Sequence, residues 1–276
     1  MSGATAVNLM DRTFANLKAA GKTALIPFIT VGDPDPDTTL DIIVELERAG
    51  ADILELGVPY SDPLADGPVI QRASERALVR RIAVETCIDT ARKARERGVS
   101  MPFVLFTYYN PVLQTGLERF FLLLREAGIS GVIIPDLPFE EAEEALRLAD
   151  AAGIRLVPLV APTSESRVAK ILSRARGFIY CVSSLGVTGE RSSFHQQVDE
   201  FIASVKAQTD LPVAVGFGIS NREQVQRFSE FCDGVVVGSA IVRKIEESLP
   251  LLQQEATREQ GLLQIHDFVA QLNIKD

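Results

Sequence analysis

The sequence predicts an α/β protein, a closed parallel (β/α)8 barrel in which eight buried strands alternate with helices. Eight short apolar runs are spaced along the chain as the buried strands of a parallel sheet would be. A helical stretch that ends in glycine precedes several of them, as at Gly50, Gly128 and Gly153. The chain has 276 residues, of which 46% are hydrophobic, and this suits one barrel with a sizeable core.

The predicted elements follow one another in the order that such a barrel requires. The second strand contains Ile53–Leu56 and is followed by Pro59, and the fourth contains Val132–Ile134 and is followed by Pro135. The eight strands are predicted at 24–30, 53–57, 102–107, 131–135, 155–160, 177–182, 212–216 and 234–238. Helical patterns lie between them, for example at Thr39–Ala49, Glu140–Ala151 and Phe194–Ala207.

Two further amphipathic segments lie at the ends of this alternation. A segment near 8–20 predicts an extra N-terminal helix, and a longer one near 250–273 predicts an additional C-terminal helix. No linker or low-complexity stretch divides the chain. The sequence therefore predicts a single (β/α)8-barrel domain over residues 1–276, with its active site at the C-terminal ends of the strands.

Composition and charge exclude several classes of protein. The formal net charge is −9, so neither nucleic acid nor an anionic membrane is an expected partner. The N-terminal residues lack a signal-peptide pattern, and no apolar run is long enough to span a bilayer. We therefore expect a cytoplasmic protein. Cys87, Cys181 and Cys232 are too few and too scattered for a disulfide framework or a zinc site.

Histidine and lysine are absent from the positions where a barrel would use them in catalysis. The two histidines, His195 and His266, lie in helical stretches, so we expect neither a metal centre nor a histidine base. The seven lysines lie outside the C-terminal halves of the predicted strands. A Schiff-base aldolase needs a desolvated lysine there, which excludes that mechanism. Carboxylates must therefore perform the chemistry.

Two acids lie at the end of the second predicted strand and on the loop after it. Glu55 is inside the apolar strand, where its carboxyl group is desolvated, and no basic residue lies between Arg48 and Arg72 to pair with it. Asp66 follows on a loop rich in proline and glycine that leads into a helix. A buried acid with a second acid nearby is suited to proton transfer. Asp66 also fits an ordinary turn before a helix, which is the alternative for that residue.

Glycine-bearing turns follow the last two predicted strands. Gly216 and Gly218 come after strand seven, and Gly238 and Ser239 come after strand eight at the start of a helix. Barrels of this class often bind phosphate at these two turns, because glycine lets backbone amides approach the anion and the helix N-terminus adds partial positive charge. The alternative is a pair of plain tight turns.

Other candidates carry weaker signals. The loop Ser183–Ser193 has the composition of a mobile lid, although an ordinary surface loop has the same composition. Tyr180 ends the run Gly177–Tyr180 in strand six and either points into the mouth of the barrel or packs. Asp136 is interpreted as a turn or helix cap, and the acids of 32–37 as a turn and N-cap rather than a metal site.

Five motifs in this order resemble the tryptophan synthase alpha chain family. They are PFITVGDP (27–34), LELGVPYSDPLADGP (54–68), GVTGER (186–191), GFGIS (216–220) and VGSAIV (237–242). The resemblance implies a substrate, indole-3-glycerol phosphate, that is cleaved to indole and glyceraldehyde 3-phosphate. It also implies a partner, the beta chain, in an αββα assembly in which only the beta chain holds pyridoxal phosphate and this chain needs no cofactor or metal.

The same resemblance assigns expected roles to individual residues. Glu55 and Asp66 match the two catalytic acids, and Tyr180 matches a tyrosine near Glu55. The remaining matches are Phe28, Phe106, Ile133 and Phe217 for the indole pocket, Thr188 for the closing loop over the substrate, Gly189, Gly218, Gly238 and Ser239 for phosphate binding, and Pro59, Asp62 and Asn110 for the partner interface.

The implied retro-aldol cleavage fits two carboxyl groups with different tasks. The bond between indole C3 and the glycerol chain breaks once C3 is protonated. Glu55, with a pKa expected to be raised by burial, can protonate C3 and take the proton of the departing hydroxyl. Asp66, as a carboxylate, can hydrogen-bond the indole N–H and stabilise the positive charge.

Two alternative functions remain open from the sequence. One is a stand-alone indole-3-glycerol phosphate lyase that needs no beta chain, and it would show high turnover by itself. The other is a catalytically silent, phosphate-binding regulatory subunit, which measurable indole release would exclude.

Overall fold

The computed structural model describes residues 7–182, 191–216 and 218–274, and for residues 165, 166 and 191–196 it describes the backbone alone. Within these residues, nine strands form one parallel sheet in the order β5-β4-β3-β2-β1-β9-β8-β7-β6. The strands are β1 (Ala24–Thr30), β2 (Leu54–Gly57), β3 (Phe103–Phe106), β4 (Gly131–Ile133), β5 (Arg155–Leu156), β6 (Leu159–Val160), β7 (Ile179–Val182), β8 (Val213–Gly216) and β9 (Gly234–Val237).

The two outermost strands, β5 and β6, are the halves of the single strand predicted at 155–160. Val157 and Pro158 separate them, and Pro158 interrupts the ladder because it has no N–H to donate. The segment 157–158 still forms backbone hydrogen bonds with the strands on both sides, β4 and β7. The N–H of Val157 donates to the Val132 carbonyl at 2.9 Å, and the N–H of Tyr180 donates to the Pro158 carbonyl at 3.1 Å. One continuous segment thus joins β4 to β7, and the sheet closes into the predicted (β/α)8 barrel.

Twelve α-helices surround or cap the strands in the described residues. They are α1 (Leu9–Ala19), α2 (Pro36–Arg48), α3 (Pro68–Val79), α4 (Val84–Glu96), α5 (Tyr109–Thr115), α6 (Leu117–Glu126), α7 (Glu143–Ala152), α8 (Val168–Leu172), α9 (Arg191–Lys206), α10 (Arg222–Ser229), α11 (Ser239–Leu252) and α12 (Arg258–Leu272). Short 3-10 helices occupy Phe139–Glu141, Pro162–Arg167 and Glu255–Thr257.

The C-terminal helix predicted near 250–273 is two elements. Its first residues are the last turn of α11, which contains Pro250, and the helix that ends the chain begins only at Arg258. The apolar pattern runs on through the junction, where the 3-10 turn Glu255–Thr257 lies, so periodicity alone does not reveal the break. The predicted N-terminal helix is present as α1.

Helix α1 closes the N-terminal end of the barrel. The side chain of Asn8 caps the helix by accepting from the N–H of Met10, and its amide donates to the carbonyls of Ser130 and Gly153, which precede β4 and β5. Met10 and Phe14 are buried in the cluster that fills the barrel interior. The opposite, C-terminal end is therefore the end that remains open for a site. No helix among the described residues combines the length and apolarity needed to cross a membrane.

Candidate active site

A cavity of about 470 Å³ lies at the C-terminal ends of the strands. It brings together residues of seven strands that are far apart in the sequence, namely β1, β2, β3, β6, β7, β8 and β9. Eight of the residues to which the family resemblance assigns a role line it, namely Phe28, Glu55, Asp66, Phe106, Tyr180, Gly218, Gly238 and Ser239. The volume is in the range of pockets that bind small molecules.

Glu55 lies on β2 between Phe28 of β1 and Val104 of β3, and it lines the cavity. Its side chain is 1% exposed, and its Oε1 atom has no hydrogen-bond partner among the described residues. Burial raises the pKa of this carboxyl group from its ordinary 4.5 to about 8. At neutral pH the group is therefore mostly protonated, and a carboxylic acid with an unused oxygen faces the cavity.

Asp66 is held at the mouth of the same cavity by Tyr108, a residue that the sequence analysis missed. The Tyr108 hydroxyl donates to Oδ2 of Asp66 at 3.1 Å and accepts from the N–H of Ala65 at 3.0 Å. Burial raises the pKa of Asp66 above its ordinary value, and the hydrogen bond from Tyr108 offsets only part of this rise. Tyr60 stacks on Tyr108 with ring centroids 4.8 Å apart.

Tyr180 lines the cavity from β7 and is buried rather than exposed at the rim. Burial, with a smaller contribution from the charge of Glu55, raises the pKa of its hydroxyl well above the usual value. A Cβ atom at Gly216 of β8 would lie 2.5 Å from that hydroxyl oxygen, so only glycine fits beside this tyrosine. Gly216, the last residue of β8, thus makes room for a side chain of the site.

The turns after β8 and β9 line another part of the cavity. Gly218 has a φ of +68°, a left-handed backbone that favours glycine. Gly238 is the N-cap residue of α11, and Ser239 is the first residue of that helix, which has no acidic residue in its first turn. A helix start of this kind presents N–H groups and partial positive charge to an anion.

Two phenylalanines form an apolar wall close to Glu55. The rings of Phe28 and Phe106 pack edge to face, with centroids 5.7 Å apart and an interplanar angle of 88°. A Cβ at Gly57 would lie 2.4 Å from the Phe28 ring, so this glycine makes space for it. Ile133 is fully buried in the cluster of the barrel interior and does not line the cavity.

Three predicted site residues, Thr188, Gly189 and Phe217, lie outside the described residues, as does most of the loop Ser183–Ser193. Of the expected interface residues, Asp62 and Asn110 are exposed. Pro59, two residues after the end of β2, is buried in the isolated chain.

The remaining acidic candidates have structural partners. Asp35 is the N-cap of α2 and accepts from the N–H of Thr38 at 2.8 Å, as predicted. Asp136 accepts from the N–H of Tyr109 at 2.8 Å, so it caps the start of α5, a helix that comes earlier in the chain. Asp33 is buried and forms a bidentate ion pair with Arg76.

Comparison with known proteins finds one family that matches over most of the chain. The family model described as "Tryptophan synthase alpha chain" matches residues 14–271. The tryptophan synthase alpha chain of Geobacillus sp. (strain WCH70) is 52% identical over 251 residues, which are 91% of this chain and 95% of the relative. That of Bacillus subtilis (strain 168) is 54% identical over 243 residues, covering 88% of this chain and 91% of the relative.

Solved structures agree with these relatives. The crystal structure of the tryptophan synthase alpha chain from Legionella pneumophila subsp. pneumophila superimposes with a TM-score of 0.86 at 36% identity, covering 97% of this chain and 96% of that chain. A chain of Mycobacterium tuberculosis tryptophan synthase gives a TM-score of 0.84 at 36% identity, covering 95% of this chain and 96% of that chain.

Proposed function

The chain belongs to the tryptophan synthase alpha chain family, and from this premise we propose that the cavity around Glu55 and Asp66 is its catalytic site. The family's reaction is the retro-aldol cleavage of indole-3-glycerol phosphate to indole and glyceraldehyde 3-phosphate, with indole passed to a beta chain. The chain is thus a lyase of tryptophan biosynthesis. Nothing in the structure favours the alternatives of a stand-alone lyase or a silent regulatory subunit.

One observation supports the assignment most strongly: a buried carboxyl group with a pKa of about 8 lines the same cavity as a second carboxyl group. The protonated Glu55 donates a proton to C3 of the indole ring. Its carboxylate then takes the proton of the hydroxyl on the adjoining carbon of the glycerol chain, and the C–O bond becomes the aldehyde C=O. The C–C bond breaks, its electron pair restores the indole ring, and Glu55 regains its proton.

Asp66 acts at the other end of the indole ring. Protonation of C3 places positive charge on the ring nitrogen, and the carboxylate of Asp66 accepts a hydrogen bond from that N–H. The hydrogen bond from Tyr108 favours the carboxylate over the acid form, since it lowers the pKa of Asp66. The two acids thus differ in environment: burial raises the pKa of Glu55 with no opposing hydrogen bond, whereas the Tyr108 hydrogen bond offsets part of the effect of burial on Asp66.

The other site residues provide binding. The Phe28–Phe106 wall packs against the indole ring, and the turns at Gly218 and Gly238–Ser239 bind the phosphate through backbone amides and the N-terminus of α11. Gly189, Thr188 and Phe217 keep their roles from the family resemblance as proposals. Ile133 does not line the cavity, and its proposed role is to support the indole pocket through the interior cluster against which Phe106 packs. The chain itself uses no cofactor or metal, and pyridoxal phosphate belongs to the beta chain. It works in the cytoplasm as a single domain.

The beta chain docks beside the loop 58–67. Asp62 and Asn110 contribute exposed side chains to this interface, and the buried Pro59 fixes the start of the loop. The loop that presents Asp62 also places Asp66 in the cavity, so docking and catalysis share one segment.

The substitution Glu55→Gln tests the site. It keeps the shape of the side chain and removes the proton, so we expect indole release from indole-3-glycerol phosphate to fall roughly 10²–10⁴-fold while the substrate still binds. Asp66→Asn should lower turnover similarly. As a control, Glu126→Gln removes one exposed carboxylate at the end of α6 and should change nothing.

A stability measurement distinguishes loss of catalysis from loss of folding in the Glu55→Gln variant. The pKa of Glu55 is higher in the folded chain than its ordinary 4.5, so its stabilising contribution is complete below that value and is lost as the pH rises toward 8. The loss amounts to about 3 kcal/mol near pH 7. The Gln variant avoids it and should melt at or above the native temperature at alkaline pH. A folded variant with undiminished turnover would remove Glu55 from the mechanism.

A further inference from the structure

Two helices, α3 and α4, lie between β2 and β3, where the ring of the barrel needs only one. Helix α4 packs against α2 and α6, so it takes the ring position between them. Helix α3 packs against β1 and α11. Its N-cap residue Gly67 and its residue Ile70 line the proposed catalytic cavity. Helix α3 is therefore an extra helix that forms part of the cavity wall.

The start of α3 also holds the backbone of Asp66, which immediately precedes the N-cap residue Gly67. Nε2 of Gln71, in the first turns of α3, donates to the backbone carbonyl of Asp66 at 2.8 Å. The side chain of Asp66 is bound separately, by the hydroxyl of Tyr108. A shift of α3 against the barrel would therefore move the Asp66 carboxylate away from Tyr108 and from the cavity.

Apolar contacts join α3 to two other parts of the proposed site. Val69 and Ala73 are buried in one cluster with Phe28 of the apolar wall and with Val242 of α11. Val242 lies one turn after Ser239, at the helix start proposed to bind phosphate. Apolar contacts are non-directional, so they leave the position of α3 along α11 to be fixed by other groups.

Arg76 supplies directional bonds from α3 to both of its neighbours. Its Nε and Nη2 atoms donate to the two carboxylate oxygens of Asp33 at 2.8 and 2.9 Å. Its Nη1 atom donates to Glu246 of α11 at 2.7 Å. Asp33 is 2% exposed and follows β1 in the motif PFITVGDP. One guanidinium group thus fixes α3 to the turn after β1 and to α11 at the same time.

The two acids depend on Arg76 to different extents. Burial raises the pKa of Asp33 above its ordinary value, and Arg76 offsets only part of this rise. No second ion pair of Asp33 occurs among the described residues, so loss of Arg76 leaves a buried carboxyl group without its cation. Glu246 keeps a bidentate pair with Arg72, at 2.9 and 2.7 Å.

We propose that Arg76 is a positioning residue of the site, which holds Asp66 in place by tying α3 to Asp33 and to Glu246. The inference rests on the proposed function of the cavity around Glu55 and Asp66. It also gives the acid of the motif PFITVGDP a role in that site.

The kinetic test is Arg76→Gln, with Arg155→Gln as the matched control. The two side chains are 27% and 26% exposed, and Arg155 pairs with Asp11 at 2.7 Å near the closed end of the barrel. We expect Arg76→Gln to lower kcat for indole release roughly 10–100-fold, with a smaller change in KM. Arg155→Gln should leave kcat within about twofold. Arg76→Lys, which keeps the charge, should recover part of the loss.

The Asp66→Asn background distinguishes positioning from general loosening of the fold. If Arg76 acts through Asp66, Arg76→Gln should lower kcat much less in that background than in the native chain. A merely structural role predicts the same fold-loss in both backgrounds. Equal fold-losses in the two backgrounds, or equal loss in the Arg76→Gln and Arg155→Gln variants, would refute the positioning role.

A second readout follows Asp66 without the reaction. The carboxyl signal of Asp66 is titrated by ¹³C nuclear magnetic resonance and assigned from the Asp66→Asn variant. Burial holds the pKa of Asp66 above its ordinary 3.8, so release of α3 in Arg76→Gln should lower it toward that value, and Arg155→Gln should leave it unchanged. An unchanged pKa of Asp66 in folded Arg76→Gln contradicts the proposal.

Two further outcomes separate this proposal from the proposed function and from failure to fold. If Asp66→Asn turned over like the native chain, the catalytic role of Asp66 would fail, and the titration would still decide whether Arg76 positions it. If Arg76→Gln does not fold, Glu246→Gln removes the α11 contact alone and leaves the Asp33 pair. It should shift the pKa of Asp66 in the same direction by a smaller amount, and no shift would refute the role of the clamp.

Discussion

The substitution Tyr108→Phe tests how the loop that carries Asp66 is held. Tyr108 is 2% exposed, and its hydroxyl is the one group that contacts both the carboxylate of Asp66 and the backbone N–H of Ala65 in the described structure. Phenylalanine keeps the ring and its stacking on Tyr60 and removes only these two hydrogen bonds. The perturbation therefore isolates the positioning of Asp66 from the packing of the loop.

The magnitude follows from the two bonds. A hydrogen bond to a charged carboxylate contributes about 1.5–3 kcal/mol, and a bond between neutral groups about 1 kcal/mol. Each 1.4 kcal/mol is a factor of about ten. Because only the bond that orients Asp66 bears on the transition state, we expect kcat/KM to fall roughly 10–100-fold. Loss of the neutral bond, from the N–H of Ala65 to the Tyr108 hydroxyl, should lower the free energy of unfolding by about 1 kcal/mol.

The pH profile separates positioning from general loosening of the fold. The Tyr108 hydrogen bond lowers the pKa of Asp66, so its removal raises that pKa. Activity that requires the Asp66 carboxylate is lost as the pH falls through its pKa, and the acid limb of kcat/KM should move to higher pH in the variant.

The assay is indole release measured across the pH range, with Tyr109→Phe as the control. Tyr109 is the neighbouring residue, and its hydroxyl makes no contact with Asp66. An unshifted acid limb, or an equal loss in the Tyr109 variant, would refute the argument that Tyr108 orients and ionises Asp66.

Four further predictions concern other parts of the site. The alkaline limb of kcat should lie near pH 8, because deprotonation of Glu55 removes the acid, and a rate that is flat from about pH 7 to 10 would contradict this. Gly216→Ala should lower the free energy of unfolding by about 1–3 kcal/mol and lower turnover, since its Cβ would overlap the Tyr180 hydroxyl. A variant of native stability and rate would show that the tyrosine moves freely. Gly238→Asp should raise KM steeply and change kcat less, because it sets a carboxylate at the turn proposed to bind phosphate. In the native chain, equal affinity for indoleglycerol and for its phosphate would refute the phosphate site. Asp62→Ala should reduce activation by added beta chain more than the basal rate, and collapse of the basal rate with full activation would assign Asp62 to the chemistry instead.

The two acids proposed as catalytic could be found from the sequence because both lie in local patterns that have a physical meaning. Glu55 is a charged residue inside a buried strand, and burial of that kind is visible as an acid within an apolar run. Gly238 and Ser239 are likewise visible as a glycine at the junction of a strand and a helix. The motif around these residues also led directly to the family, which the family model and the relatives confirm.

Tyr108 was missed because its role depends on a contact across 42 residues of sequence. Nothing local distinguishes this tyrosine from a core aromatic residue. The cap that Asp136 provides to α5 was similarly invisible, because a capping residue is expected just before its own helix and here it comes 27 residues later. Burial of Pro59 also depends on the neighbours that barrel closure brings to the end of β2.

The sequence by itself determined the eight strand segments, their alternation with helices and the two acids, because apolar periodicity and strand-end position are properties of short stretches of chain. Only the tertiary structure decided the pKa of Glu55, the partner of Asp66 and the fit of Tyr180 beside Gly216. Each of these depends on desolvation or on distances of a few ångströms between distant segments, and those arise only when the barrel closes.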